Sequence, residues 1–322
     1  AYTPKRDVLD EKGNPTDEKE TNWVKQVDFD VQWDESTLKT TAWNALSQNQ
    51  NLGEDYRIHQ NDQGTETAPD ISVTAVTDKV AEDETASGGT TKKFSLGAKP
   101  GDDVSYSGRV EFSVKVAFTV DMQEKKQVGT DANGNPQYED TWTKQEKLKE
   151  YTFTVAVPEV YVQNFLNVPT VTAKAATKAA DGTTGTATRT NKPEKDKNGI
   201  DDIEKCWFNG NDNVLKSLVI TESGESKAPY TLYYSLQAPD NGLEMGEFKA
   251  KNGALTVFDE TNKWQWEIEK DDKKGDQPVY VNQDGEYVLI VWAKDAAGNI
   301  SAFDPLGYTI KYDVHAPDVH AV

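Results

Sequence analysis

Hydrophobic positions recur at every second residue along most of this chain. In WVKQVDFDVQW, Trp23, Val27, Phe29, Val31 and Trp33 share one parity, while Gln26, Asp28, Asp30 and Gln32 share the other. Successive side chains of a strand point to opposite faces, so this is the pattern of a half-buried β-strand. The alternation resumes in DISVTAVT and KKFSLGA. It is clearest in RVEFSVKVAFTV, where Val110, Phe112, Val114, Val116, Phe118 and Val120 face inward against Glu111, Ser113, Lys115 and Thr119. EYTFTVAV repeats it with Tyr151, Phe153, Val155 and Val157, and these two strands are expected to pair across a long polar excursion. STLKTTAWNALSQ breaks the rule. Its Leu38, Ala42, Ala45 and Leu46 have helical spacing behind Ser36, which predicts a short helix, capped by Ser36, over one end of a sheet.

From about Val168 the strand candidates are TVTAKA, NVLKSLVIT, PYTLYYSL, GALTVF, KWQWEI, GEYVLIVWAKD and GYTIKYDV, separated by turn-rich spacers. Short strands in that number predict a sandwich. GEYVLIVWAKD is apolar on both parities and is expected to be a central strand covered on both faces. Residues 176–204 hold almost no large apolar side chain and are read as a long loop or edge excursion.

Two tips share one chemistry. LDEKGNPTDE and GTDANGNPQYED each carry an Asp followed three residues later by Gly-Asn-Pro: Asp10 with Gly13, Asn14 and Pro15, and Asp131 with Gly134, Asn135 and Pro136. Gly and Asn tolerate positive φ and Pro presets its own, so both predict hairpin tips. Asp131, Asn133 and Asn135 also alternate as the first ligands of a calcium loop do. The twelfth position is Trp142, however, and no bidentate Glu closes the cage. Asp196, Asn198, Asp201 and Asp202 form another oxygen-rich cluster, read as a solvated loop. No cofactor is expected, with calcium kept as the one ion that such oxygen-rich loops could take.

Composition narrows the function. Net charge is −20 over 322 residues, with no basic cluster to reverse the field, which argues against nucleic acid and anionic membranes as partners. Cys206 is the sole cysteine, so no intrachain disulfide exists, and it has no neighbouring base. With only His59, His315 and His320, neither zinc spacing nor a Cys/His nucleophile is indicated. No phosphate loop or Ser-centred elbow is present, and among so many acids no carboxylate pair stands out. No apolar run is long enough to span a membrane. The start, AYTPKRDVLD, has neither an initiator Met nor a signal-type core, as expected of a piece of a longer protein.

VPTVTA (168–173) and APDVHA (316–321) share the form small-Pro-x-Val-x-Ala, each after an aromatic-rich strand. Pro ends a ladder and stiffens the joint, so the pair marks module boundaries, with a further module beginning at 316. The stretch GEYVLIVWAKDAAGNIS and the later YDVHAP resemble the ends of bacterial immunoglobulin-like repeats of secreted and surface proteins. Gly285, Tyr287, Ala293, Asp295, Ala297, Gly298, Asn299, Ser301, Asp313, Ala316 and Pro317 fall on that pattern. CWFNGN and YTLYYSL sit where such repeats carry a Trp-containing strand and a strand ending in Tyr-Ser. The resemblance covers about 168–317 and implies a fold rather than an activity. Within it, Asp295 to Asn299 is read as the corner before the last strand, with Asp295 bonding back to turn amides instead of binding a metal.

The expected architecture is all-β: tandem immunoglobulin-like β-sandwich modules at 1–166 and 167–315, the first with a short helix, and 316–322 opening a further module or linker. The expected role is non-enzymatic, as an extracellular stalk or adhesion region of a bacterial surface protein. Its partners would be a host or cell-surface protein or glycan, together with further modules of the same chain. The alternative is a carbohydrate-binding accessory of a secreted polysaccharide-degrading enzyme. Trp264 and Trp266 share one face of KWQWEIEK and are expected in the core, as are Trp23, Trp33 and Trp207. Trp43 and Trp142, each set among polar residues, are the candidate ligand-binding aromatics.

Overall fold

A computed structural model describes residues 2–49, 52–190, 201–203, 206–222, 224–237, 248–251, 254–261, 263–266, 279–281, 284–301 and 307–315. The fold is all-β with one helix among these residues. In chain order the first elements are β1 (Lys5–Leu9), β2 (Pro15–Thr21), β3 (Val27–Gln32), α1 (Glu35–Asn49), β4 (Tyr56–Ile58), β5 (Asp70–Ala75), β6 (Val80–Glu82) and β7 (Thr91–Leu96). Two long strands follow, β8 (Ser105–Thr130) and β9 (Pro136–Gln163). The chain divides into two compact units, Ala1–Tyr2 with Gln26–Asp102 and Ser107–Val160, and Thr3–Lys25 with Asp103–Tyr106 and Tyr161–Val322. The boundary drawn from sequence at 166/167 therefore differs from this division, which falls inside β9. The β1–β2 hairpin groups with the second unit, where Trp23 packs on Tyr161 with ring centroids 5.4 Å apart.

In the first unit β8 is the axis. Its even positions from Val110 to Val120 are buried, as the alternation requires. β5 and then β4 pair along one edge of β8, and β9 pairs along the other. One face of this sheet is covered in two parts. Toward Phe112 lies the small sheet β3–β7–β6, whose Phe29 and Phe94 rings meet Phe112 at 5.4 and 4.9 Å. Toward Val116–Val120 lies α1, which buries Ala42 and Leu46 completely. The helix is capped by Asp34, not Ser36: the Asp34 carboxylate accepts the Thr37 amide at 2.7 Å, and Ser36 falls in the first turn. An anionic cap also suits the positive helix end, and bonds from the Thr37 hydroxyl and amide hold the Asp34 carboxyl below the ordinary aspartate value. Beyond Met122 the two long strands continue, and on β8 the residues from Glu124 to Thr130 are exposed.

The second unit continues with β10 (Thr170–Lys178), β11 (Thr184–Thr190), β12 (Asp201–Asp202), β13 (Trp207–Asn209), β14 (Asn213–Thr221) and β15 (Tyr230–Gln237). It ends with β16 (Phe248–Lys251), β17 (Leu255–Asp259), β18 (Lys263–Trp266), β19 (Val279–Val281), β20 (Gly285–Asp295) and β21 (Tyr308–Asp313). One sheet runs β12-β11-β10-β14-β17-β18-β19 and the other β13-β21-β20-β15-β16. Val171, Ala173, Leu218 and Ile220 of the first meet Leu232, Tyr234, Tyr287 and Leu289 of the second in one buried core, which makes this unit a β-sandwich.

Two sequence expectations change here and a third is narrowed. Of the two readings of 176–204, Thr184–Thr190 follows the edge excursion, adding to β10 as an antiparallel strand. Its Thr-rich alternation suits an edge that buries little. β20 is central but is not covered on both faces. Val288, Ile290 and Trp292 are half-buried, and Trp292 stacks flat on Tyr233 at 5.5 Å as a cross-strand pair. Trp207 is 47% exposed, while Trp23 is buried and Trp33 is half-buried. The side chains of Trp264 and Trp266, the Asp196–Asn198 part of the oxygen-rich cluster and residues 316–322 lie outside the described residues.

A single turn design recurs through both units. At Asp10–Asn14, Asn61–Thr65, Asp131–Asn135, Ala179–Thr183 and Asp295–Asn299, the first amide donates to the fifth carbonyl and the fourth amide donates to the first carbonyl. The fourth residue is always Gly, with φ of 82, 81, 86, 85 and 80°. That conformation is costly for a residue with a Cβ. In all but the Ala179 copy the first side chain, Asp or Asn, accepts the amide of the fifth residue.

Candidate functional site

The acidic corner at Asp295 is built into the second unit as a structural knot. Asp295 and Asn299 are 5% and 6% exposed, unlike the solvated tips at Asp10 and Asp131. Asp295 Oδ1 accepts the Asn299 amide and Oδ2 accepts Asn299 Nδ2, both at 2.8 Å. The same Nδ2 donates to the Gln163 carbonyl at 2.7 Å, fastening the end of β9. The Gln163 side chain is itself fully buried. Its Oε1 accepts from Ser105 Oγ and from the amides of Lys227 and Ala228, and its Nε2 donates to Ser226 Oγ and to the Phe165 carbonyl. Ser301 closes the corner, accepting the Ala293 amide through Oγ. Both oxygens of its acid are engaged within the turn, one by a main-chain amide and one by the Asn299 side chain.

A different place has the makings of a binding site. α1 presents Lys39, Thr40, Trp43 and Asn44 toward β4, which supplies Tyr56, Arg57 and Ile58, while Glu66 follows from the loop beyond. Residues three and four apart on a helix share a face, which is why Lys39 and Trp43, or Thr40 and Asn44, arrive together. The resulting open cleft has a volume of about 290 Å³. Lys39 pairs with Glu66 across it. Trp43 is anchored edge-on against Phe118 at 5.5 Å, so its ring is held by the core while one side borders the cleft.

Arg57 connects the cleft to the opposite face of the sheet. It pairs directly with Asp121 across β4 and β8, at 3.7 Å from Nε to Oδ2. Asp121 is buried and also meets His59 Nδ1 at 2.5 Å. The Arg57 guanidinium lies 4.5 Å from the Trp142 ring centroid, a cation–π contact. Phe118 and Asp121 differ in parity and face opposite sides of β8, so Trp43 and Trp142 lie on opposite sides of the sheet. They do not make one aromatic platform. What links them is Arg57, a residue that the sequence pattern did not single out. Its available signal was Asp121, an acid set between Val120 and Met122 in the most apolar strand of the unit.

Aromatic edges, an amide and an ammonium–carboxylate pair around one small cleft provide stacking surface and both hydrogen-bond polarities, the groups that hold a polyhydroxylated small ligand. Among the described residues, no group of three or more His, Cys, Asp or Glu side chains is arranged to hold a metal ion, and no helix is long and apolar enough to cross a membrane. Comparison of the chain with models of known protein families, with curated proteins and with solved structures finds no match.

Proposed function

We propose that this chain is a non-enzymatic extracellular segment of a bacterial surface protein, acting as a stalk or adhesion region, with the second unit as its immunoglobulin-like module. The observation that carries this reading is the Asp295–Asn299 knot. Four of the residues on which the resemblance rests, Asp295, Gly298, Asn299 and Ser301, close a corner, and Asn299 grips the incoming strand at Gln163. A module strung in series needs such an anchorage where the chain enters it. Asp10, Asp131 and Asp295 are likewise bound to main-chain amides of turns, which supports a structural use of this acidity. The test is location. Antibody raised against the folded chain is expected to label intact cells of the source organism, and surface proteolysis of those cells is expected to release its peptides. Labelling that needs prior lysis would overturn the proposal.

A second reading, carbohydrate binding as an accessory of a secreted enzyme, is favoured by the cleft around Trp43, Tyr56 and Arg57. It expects a retained glycan on an array, weakened by Trp43→Ala and by Arg57→Ala. Retention of no glycan ends that reading.

A further inference from the structure

The sheet of the first unit ends at β9. Among the described strands, β9 pairs with β8 alone, and its far edge is occupied near its end, where Val24 bridges Val162. Between Lys149 and Glu159 no described strand pairs with that edge, and the run Tyr151–Val157 carries no charged side chain. By contrast β3, the edge of the small sheet, carries Asp28 and Asp30. Natural edge strands are normally guarded by charge, and an unguarded β-prone run is a template for pairing with another chain. Beside this edge lies an open groove of about 460 Å³ that neither β3 nor α1 fills, bordered by Phe29, Val31, Trp33, Phe153, Val155 and Val157. Val155 is 45% exposed there, and Tyr151 and Phe153 hold each other edge to face at 4.9 Å.

We propose that a second copy of the chain occupies this edge, with β9 pairing antiparallel to β9 about a two-fold axis at Thr154. Paired residues must lie on the same face of the joined sheet, so odd positions meet odd positions and the axis must pass through a residue. With Thr154 at the centre, Phe153 faces the partner's Val155 and Tyr151 faces the partner's Val157. At the ends Lys149 faces the partner's Glu159, once on each side of the axis. Aromatic with β-branched, Thr with Thr and cation with anion are the favourable cross-strand pairs. Moving the axis to Phe153 sets Lys149 against the partner's Val157, and moving it to Val155 sets Glu159 against the partner's Tyr151. Of these three axes Thr154 alone matches every odd-numbered pair; at the even positions Thr152 faces the partner's Ala156 and Glu150 faces the partner's Pro158, where the ladder lacks one N–H. The pairing draws the Lys149 ammonium from its place 5.8 Å over the Tyr56 ring and covers Val155. Because each copy uses its open edge once, the association closes as a dimer instead of growing into a fibre.

The test uses the whole chain. Sedimentation velocity is expected to show a concentration-dependent dimer. Glu159→Lys, which opposes two cations at both ends, is expected to weaken it about tenfold, and Lys149→Glu combined with Glu159→Lys to restore it. In a Cys206→Ser background, Thr154→Cys is expected to give an oxidised covalent dimer, because self-paired residues on antiparallel strands lie within disulfide reach. Thr152→Cys, placed opposite the partner's Ala156, is expected not to. A chain that stays monomeric at every concentration, a charge reversal that is not rescued by its partner change, or equal cross-linking at 152 and 154 would each overturn the proposal.

Discussion

The buried corner and the exposed tips make a controlled comparison, since Asn ends the same turn at 14 and at 299. Removing the Asn299 side chain as Asn299→Ala deletes two donations from Nδ2, to Asp295 Oδ2 at 2.8 Å and to the Gln163 carbonyl at 2.7 Å. Both acceptors are left with reduced access to water, because Asp295 is 5% exposed and Gln163 is fully buried. Losing a bond to a charged group costs about 2 kcal/mol, and orphaning a buried carbonyl costs about 1–3 kcal/mol. Asp295 keeps the Asn299 amide, so the two losses do not reach their separate maxima. We expect about 3 kcal/mol overall. Asn14→Ala removes the equivalent contact to Asp10 Oδ2, at 3.2 Å and exposed. Water replaces it there, and we expect a cost within about 0.5 kcal/mol.

The assay is urea denaturation followed by aromatic fluorescence, with calorimetry to separate the transitions of the two units. At a slope of about 2 kcal/mol per molar, a loss of about 3 kcal/mol moves the midpoint by about 1.5 M. Asn14→Ala is expected to move it by about 0.25 M. If Asn299→Ala lowers the midpoint no more than Asn14→Ala does, then burial is not what distinguishes the corner and the reasoning fails.

Gly307 has φ +69°, and a Cβ there would stand 2.8 Å from Val288 Cγ1 and 3.0 Å from the Leu289 carbonyl oxygen; Gly307→Ala is expected to cost about 3 kcal/mol in thermal unfolding. Gly134→Ala, at φ +86° with nothing within 4 Å of the new Cβ, is expected to cost about 1 kcal/mol. The Asp131 carboxyl is held below the ordinary aspartate value by the Asn135 amide first and the Asn135 side chain next. Its stabilisation is therefore complete above the unfolded pKa and is lost as pH falls through the lower folded one. Carbon NMR should give a titration midpoint below that of a free aspartate, raised by Asn135→Ala. Asp121→Ala strips both His59 and Arg57 of their carboxylate, and we expect a loss of about 3 kcal/mol in denaturant unfolding, together with altered Trp142 emission.

Parity carried most of the fold into view before any coordinates. The buried run Val110–Val120, the core face of β3, the helix from the Leu38–Leu46 spacing and the sandwich strands from 170 onward all follow from side chains that alternate or recur by geometric necessity. Local choices were less legible. Ser36 and Asp34 are both capping residues, and the choice between them depends on where the backbone leaves β3. Trp43 was legible as an aromatic among polar residues, but its relation to Trp142 was not, because parity orders residues within a strand and says nothing about which distant strand supplies Arg57.

Gln163 shows the same limit most sharply. In the sequence it is one polar residue in an aromatic strand, YVQNF, with nothing to set it apart from an exposed glutamine. In the structure Ser105, Ser226, Ala228 and Asn299 converge on it from three remote stretches of chain. The corner that holds it does leave a trace. Between its Asp and Gly, the Asp10 turn carries Glu11 and Lys12, and the Asp131 turn carries Ala132 and Asn133, whereas the Asp295 turn carries Ala296 and Ala297. A turn that faces water tolerates charge or amide at those positions. The Asp295 turn instead has half-buried alanines there, and its Ala296 amide donates to the Pro229 carbonyl at 2.8 Å. The small residues inside D-A-A-G-N, more than its acid, therefore mark it as an interior joint, and replacing Ala297 by Lys should separate the two kinds of turn as clearly as Asn299→Ala does.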